Sequence, residues 1–197
     1  MISAICSIAW FSLASSSLYV SSDGSVMTPV AAQMLRHTQE FLAALPESQR
    51  MKAHKDFDDS SRMDWTFFPR VRFGLELDSI KDNPTAFDSA KALLNCGLSE
   101  SGAATAQRIR LLDPKEDRGG GVRLGPNRYA ITIYGEPSSV GKWGWRVEGH
   151  HLTLNWTLDQ GRVVSVSPAG FGVSPFTNAN GDPQVLGEDQ QAYLDFL

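Results

Sequence analysis

The chain has 197 residues, 42% of them apolar, with a formal charge of −4 and a pI near 5.5. This is long enough to bury one core and ordinary in composition, so a single domain is expected. Charges of both signs are interspersed and no basic cluster could neutralise a row of phosphates, which argues against nucleic acid as a partner.

The first twenty residues, Met1 to Val20, are moderately apolar and rich in serine, with no Lys or Arg at the start. Serines interrupt the apolar run, so the match to a secretory signal is partial. The run also falls short of the roughly 18 unbroken apolar residues of a membrane span, and no integral membrane segment is expected. Residues 1–28 are read as a leader or signal segment and 29–197 as one α+β domain. Localisation stays open between secreted and cytoplasmic. Cys6 and Cys96 cannot build a disulfide framework and neither has zinc-site spacing.

Within the domain, Pro29 to Leu45 has helical logic: Thr28 can cap, Pro29 suits a first turn, and Ala31, Met34, Leu35, Leu42 and Leu45 recur at helical spacing. A second helix starts at Pro46. His37 and His54 fall on these two helices and are read as solvated or locally bonded. After an acidic loop, Asp64 to Pro69 is an aromatic run of strand character, followed by Arg70 and Arg72 spaced to share a strand face. Each of these arginines is either an ordinary surface charge or an anion clamp, since a guanidinium holds a carboxylate or phosphate at two points. Ser79 to Leu112 reads as two helices, with Pro84 near the first turn of one and Gly97 at its end. Asp113 to Asn127 is loop; its three glycines lack the GK[ST] of a phosphate loop.

Tyr129 to Tyr134 alternates β-branched and aromatic residues and predicts a buried strand. Trp145 to Leu158 and Val163 to Ser167 flank Asp159-Gln160-Gly161-Arg162, which predicts a hairpin in a mainly antiparallel sheet. Read as one strand, Trp145 to Leu158 puts Arg146, Glu148, His150, Leu152, Leu154 and Trp156 on one face and Val147, Gly149, His151, Thr153 and Asn155 on the other. Arg146, Glu148 and His150 then approach a shared rim, as a buried polar network, a general acid/base pair or part of a metal site. Adjacent histidines on a regular strand point apart, so His150 and His151 can hold one divalent metal only if the strand bulges or ends there, with Glu148 as the candidate carboxylate. A lone HH pair lacks the i,i+4 spacing that makes HExxH informative.

Trp65 with Pro69, Arg72 and Gly74, the phrase WGWRVEGHHLTLN from Trp143 to Asn155, and Pro168 with Phe171, Gly172 and Pro175 together resemble the family known as domain of unknown function 3500. The likeness covers about residues 30 to 197 and implies no activity. Members of that family are longer at the C-terminal end, and Glu188 to Leu197 opens as an amphipathic helix echoing Gln39 to Leu45, so a truncated C-terminus is expected.

Two functions of different class follow from these residues. One is a metal-dependent hydrolase or oxidoreductase with Glu148, His150 and His151 as ligands or acid/base groups and Arg72 or Arg146 holding an anionic substrate. The other is a non-catalytic module for a small molecule or peptide, with Trp143 and Trp145 as an aromatic wall and Arg146 and Asn155 as polar contacts.

Overall fold

The computed structural model describes residues 19–20, 24–66, 68, 70–114, 119–174, 176–182 and 185–187. Most of the expected leader and the segment Glu188 to Leu197 lie outside these. The elements in order are β1 (Tyr19–Val20), β2 (Val26–Met27), α1 (Pro29–Ala44), α2 (Glu47–Ala53), β3 (His54–Lys55), β4 (Leu75–Glu76), α3 (Pro84–Cys96), α4 (Glu100–Leu112), β5 (Ala130–Tyr134), β6 (Trp143–Glu148), β7 (Leu152–Asp159), β8 (Arg162–Ser165) and β9 (Ala169–Phe171). The class is α+β, as expected. Met27 is buried in the core and the Thr28 amide donates to Gly161 O at 3.0 Å, so residues 27 and 28 pack with the domain.

The helices start where their caps place them. Asn83 accepts from the Ala86 amide at 3.2 Å, with Pro84 in the first turn of α3, and Ser99 accepts from the Gly102 amide at 3.1 Å to open α4. On α1, Ala31, Met34, Thr38, Phe41 and Leu42 form the buried stripe. The helix expected after Pro46 is α2, but it ends at Ala53; His54 belongs to β3 and its Nε2 meets Gly135 O at 2.8 Å. His37 stays on α1, bonded to Glu40 at 3.2 Å. The aromatic run Asp64 to Thr66 is not a strand; it lies in an irregular strap discussed below.

Strands β5, β6 and β7 form an antiparallel centre, with the short strands β3 and β4 along the outer side of β5 and β8 and β9 along the outer side of β7. Because β3 runs parallel to β5, the sheet is mixed rather than purely antiparallel. The predicted hairpin is present: β7 and β8 are joined through Gln160 and Gly161, both with positive φ (46° and 71°), the type I′ turn whose twist matches the strands.

One expectation is corrected. Trp145 to Leu158 is not a single strand: the chain reverses at Gly149-His150-His151, closed by the Gly149 amide donating to Leu152 O at 2.8 Å. Across this turn Val147 faces Leu154 and Trp145 faces Trp156, while Arg146 faces Asn155 and Glu148 faces Thr153. Directly opposed residues share a face. Leu152, Leu154 and Trp156 therefore lie with Trp143, Trp145 and Val147 on the core face under the helices, and Arg146 and Glu148 lie on the opposite face. Gly97 at the end of α3 packs on the Trp156 ring, which fixes the helices to the apolar side.

Candidate metal centre

At the β6–β7 turn the two imidazoles do not point apart. Their ring centroids are 3.7 Å apart with planes tilted 40°, because the strand ends there. The carboxylate that meets them is Asp113, at the C-terminal cap of α4: its Oδ1 lies 3.2 Å from His150 Nδ1. One ligand atom from each of Asp113, His150 and His151 falls within 4.8 Å of the others. Asp113 is buried, while both histidines are half-buried at the rim.

The surroundings hold these groups in place. Tyr129, just ahead of β5, donates its hydroxyl to Asp113 Oδ2 at 2.5 Å. Burial, reinforced by the adjacent Asp113 charge and hydrogen bond, pushes the Tyr129 phenol well above its ordinary pKa, so the proton stays on the phenol and Asp113 is the acceptor. Gly149 leaves no side chain where the Tyr129 ring lies, and the Gly172 amide donates to His151 O at 2.7 Å beside the His151 ring. The space that Gly149 opens is thus filled by Tyr129. The Arg110 guanidinium lies 5.6 Å from the Tyr129 ring centre and is bonded through Nε to Pro126 O.

Neither Asp113 nor Tyr129 is picked out by local pattern. Asp113 is 37 positions from His150 and looks like the first residue of a loop. The one sequence signal is its place after a helical run and before Pro114, where a C-terminal cap is expected.

Glu148, expected as the metal carboxylate, is engaged on the other face of the sheet. Its side chain is 1% exposed and pairs with Arg72, with Arg146 Nε at 3.2 Å and with Arg70 Nη2 at 3.9 Å. Arg72 has little left for a substrate: besides Glu148 its guanidinium donates to Thr66 O at 2.8 Å and Phe68 O at 2.9 Å. Arg146 donates to Asp64 O at 3.2 Å. The guanidiniums thereby bond the strap, described at residues 64–66, 68 and 70–73, to the polar face of the sheet, where Thr132 also donates to Phe73 O at 3.3 Å.

The tryptophans expected as a ligand wall are in the core. Trp143 and Trp145 are 0% and 1% exposed, and Trp145 stacks on Trp156 with ring centroids 3.8 Å apart. A wall for a ligand needs an open ring face, and these faces are covered. Asn155 Nδ2 donates to Pro168 O at 2.7 Å and ties β7 to the segment before β9. A shallow cleft of about 390 Å³, lined by His54, Lys55, Asp56, Phe57, Asp59, Gly135 and Glu136, opens at the opposite end of β5 from the histidine turn.

The family profile described as "Protein of unknown function (DUF3500)" matches residues 28–197, and the chain belongs to that family. Comparisons with curated proteins and with solved structures found no match.

Proposed function

We propose that this DUF3500 member is a metal-dependent enzyme, a hydrolase in the first instance, whose divalent ion is held by Asp113, His150 and His151. The observation that carries the reading is the convergence of two imidazoles and one buried carboxylate within 4.8 Å. Ligands on one zinc or iron ion, each about 2.0–2.2 Å from it, stand roughly 3 to 3.5 Å apart. Asp113 Oδ1 and His150 Nδ1, at 3.2 Å, already have that spacing.

Electrostatics supports the same reading. Asp113 caps the C-terminus of α4, the negative end of the helix dipole, where a carboxylate is disfavoured and a cation is favoured. A dication between Asp113 and the histidines offsets both the buried carboxylate and the helix end. Tyr129, donating to the second carboxylate oxygen, is the outer-shell partner that orients such a ligand.

Three protein ligands would leave a coordination position for water, and the His150 side chain is 11% exposed at the turn. A zinc ion held by Asp113, His150 and His151 would supply Lewis-acid activation of water as a nucleophile, the chemistry that hydrolysis needs. The same donor set also suits iron(II) redox chemistry, and the identity of the bound metal separates the two.

The test is metal analysis of the purified protein, followed by titration of the stripped protein with zinc and iron(II). One equivalent of metal is expected, lost in Asp113→Asn and in the His150→Ala, His151→Ala double variant but kept in Glu148→Gln. Absence of saturable binding by the folded parent protein, or binding indifferent to Asp113, would overturn the proposal.

A further inference from the structure

The charge around the Asp113–His150–His151 centre points to the kind of molecule it takes. A dication with one carboxylate and two neutral imidazoles would carry a net charge of about +1. The Tyr129 hydroxyl donates to Asp113 and keeps its proton, so it cancels none of this. Arg110, one helical turn before Asp113 on α4, adds a second positive charge. The Asp113 amide donates to Arg110 O at 3.3 Å, and the Arg110 guanidinium lies 5.6 Å from the Tyr129 ring centre. Against these, the C-terminus of α4 contributes only about half a negative charge.

Among the described residues, the hydrogen bonds of Arg110 go to neutral acceptors: Nε donates to Pro126 O at 3.1 Å and Nη2 to Asn127 Oδ1 at 3.4 Å. The neighbouring carboxylates are committed elsewhere. Asp78, whose amide donates to Asn127 O, pairs with Arg128 at 3.0 Å, and Glu76 pairs with the same guanidinium at 2.8 Å. Residues 115–118, outside the described set, carry two charges of each sign and sum to zero. Burial lowers the Arg110 pKa against the pull of Tyr129 and Asp113, so the Arg110 and Asp113 charges act on one another. With the centre empty the two offset each other. A dication on Asp113 removes that compensation and leaves Arg110 facing a like charge.

We infer that the metal-loaded centre takes a substrate that brings a carboxylate to the metal beside His150, with Arg110 as the distant charge that favours it. This rests on the metal centre of the proposed function and names its substrate class. A carboxylate supplies a negative charge together with an oxygen donor that zinc and iron(II) accept. The His150 side chain, 11% exposed at the turn, is the edge of the centre that solvent reaches. Arg72 and Arg146, the arginines that sequence spacing offers for this task, are bonded to the strap on the other face of the sheet.

The experiment loads the full chain with cobalt(II), whose visible absorption reports its coordination, and titrates sodium acetate against acetamide, its neutral isostere. Ionic strength is held constant with sodium perchlorate. Acetate is expected to change the spectrum saturably, at concentrations about tenfold lower or more than acetamide. In Arg110→Gln cobalt should bind as tightly as in the parent or more tightly, because a like charge is gone, while acetate weakens by about three- to tenfold. Arg110→Lys, which keeps the charge, should restore most of the acetate affinity. Should Arg110→Gln not fold, Arg110→Met, which keeps an apolar stem, takes its place. A parent that binds no cobalt would sink the metal centre and this inference with it. Cobalt bound as expected, with acetate no better than acetamide or indifferent to the loss of Arg110, would overturn the substrate class alone. Joint weakening of cobalt and acetate in both Arg110→Gln and Arg110→Lys would make Arg110 a structural residue and overturn it as well.

Discussion

Gly149 lies against the ring of Tyr129, so that a methyl group at residue 149 would overlap ring carbons Cγ, Cδ1 and Cε1. The turn glycine thereby sets the position of the phenol, the phenol sets Asp113, and Asp113 meets His150. Gly149→Ala is expected to cost about 1–3 kcal/mol by overpacking. In the same variant zinc binding should weaken by about tenfold or more as the carboxylate is displaced. Urea unfolding alongside zinc titration checks both, and a variant as stable and as tight as the parent would detach the turn from the site.

Removing the phenol hydroxyl separates orientation from ligation. Tyr129→Phe keeps the ring and all three ligand atoms but leaves Asp113 Oδ2 without the donor that now sits 2.5 Å away. Metal affinity should fall about 10- to 100-fold, the usual consequence of losing an outer-shell partner. Because the folded phenol's pKa is raised, its protonated form contributes stability that is present below the ordinary tyrosine range and lost as pH rises above it. Ultraviolet titration of the folded parent should accordingly show no more phenolate at pH 10–11 than the Tyr129→Phe variant, although the parent carries one tyrosine more. Full ionisation of every tyrosine in that range contradicts the buried phenol.

Arg72 makes a different kind of prediction, because its guanidinium cross-links the strap to the sheet through Thr66 O, Phe68 O and Glu148. Lysine keeps the charge but cannot reach three acceptors with a planar fork. Arg72→Lys should cost on the order of 2 kcal/mol, the scale of a lost hydrogen bond to a charged group. It should also open residues 64–73 to limited proteolysis under conditions where the parent is resistant. Equal protease resistance would mean that Glu148 and Arg146 suffice to hold the strap.

Much of the fold was legible from local pattern because local physics decides it. The hairpin at Gln160-Gly161 carries the glycine that a positive-φ turn requires, and Pro29 and Pro84 sit in the first turns of α1 and α3 as expected, whereas Thr28 makes no side-chain cap bond and turns its hydroxyl to Gly161 O. The turn at Gly149-His151 was hidden by the absence of an Asn-Gly or Asp-Gly pair. One trace of it exists: the apolar positions are odd-numbered up to Val147 and even-numbered from Leu152 on, a parity change that a single strand does not make. The histidines were legible as chemistry but their carboxylate was not. Glu148 is close in sequence but is carried to the far face by the pleat, whereas Asp113 arrives through the packing of α4 on the sheet, which no spacing encodes.

Cys96 offers a test of the core that is independent of the metal centre. It is half-buried at the end of α3, where its thiol donates to Leu93 O at 3.2 Å, and burial pushes its pKa up to about 12. The thiolate is the reactive form, so the native thiol should be inert to a maleimide at pH 8, while the unfolded chain reacts at the ordinary rate. The sign of the stability effect follows from linkage. The folded pKa lies above the unfolded one, so the contribution is complete below about pH 9 and is lost as pH rises toward 12. In a Cys6→Ser background, which leaves one thiol, labelling should track the unfolded fraction across a urea titration. A Cys96→Ala variant should in turn lose less stability than its parent between pH 9 and 11. Rapid labelling in the absence of urea would show that the α3 terminus opens far more readily than its packing implies.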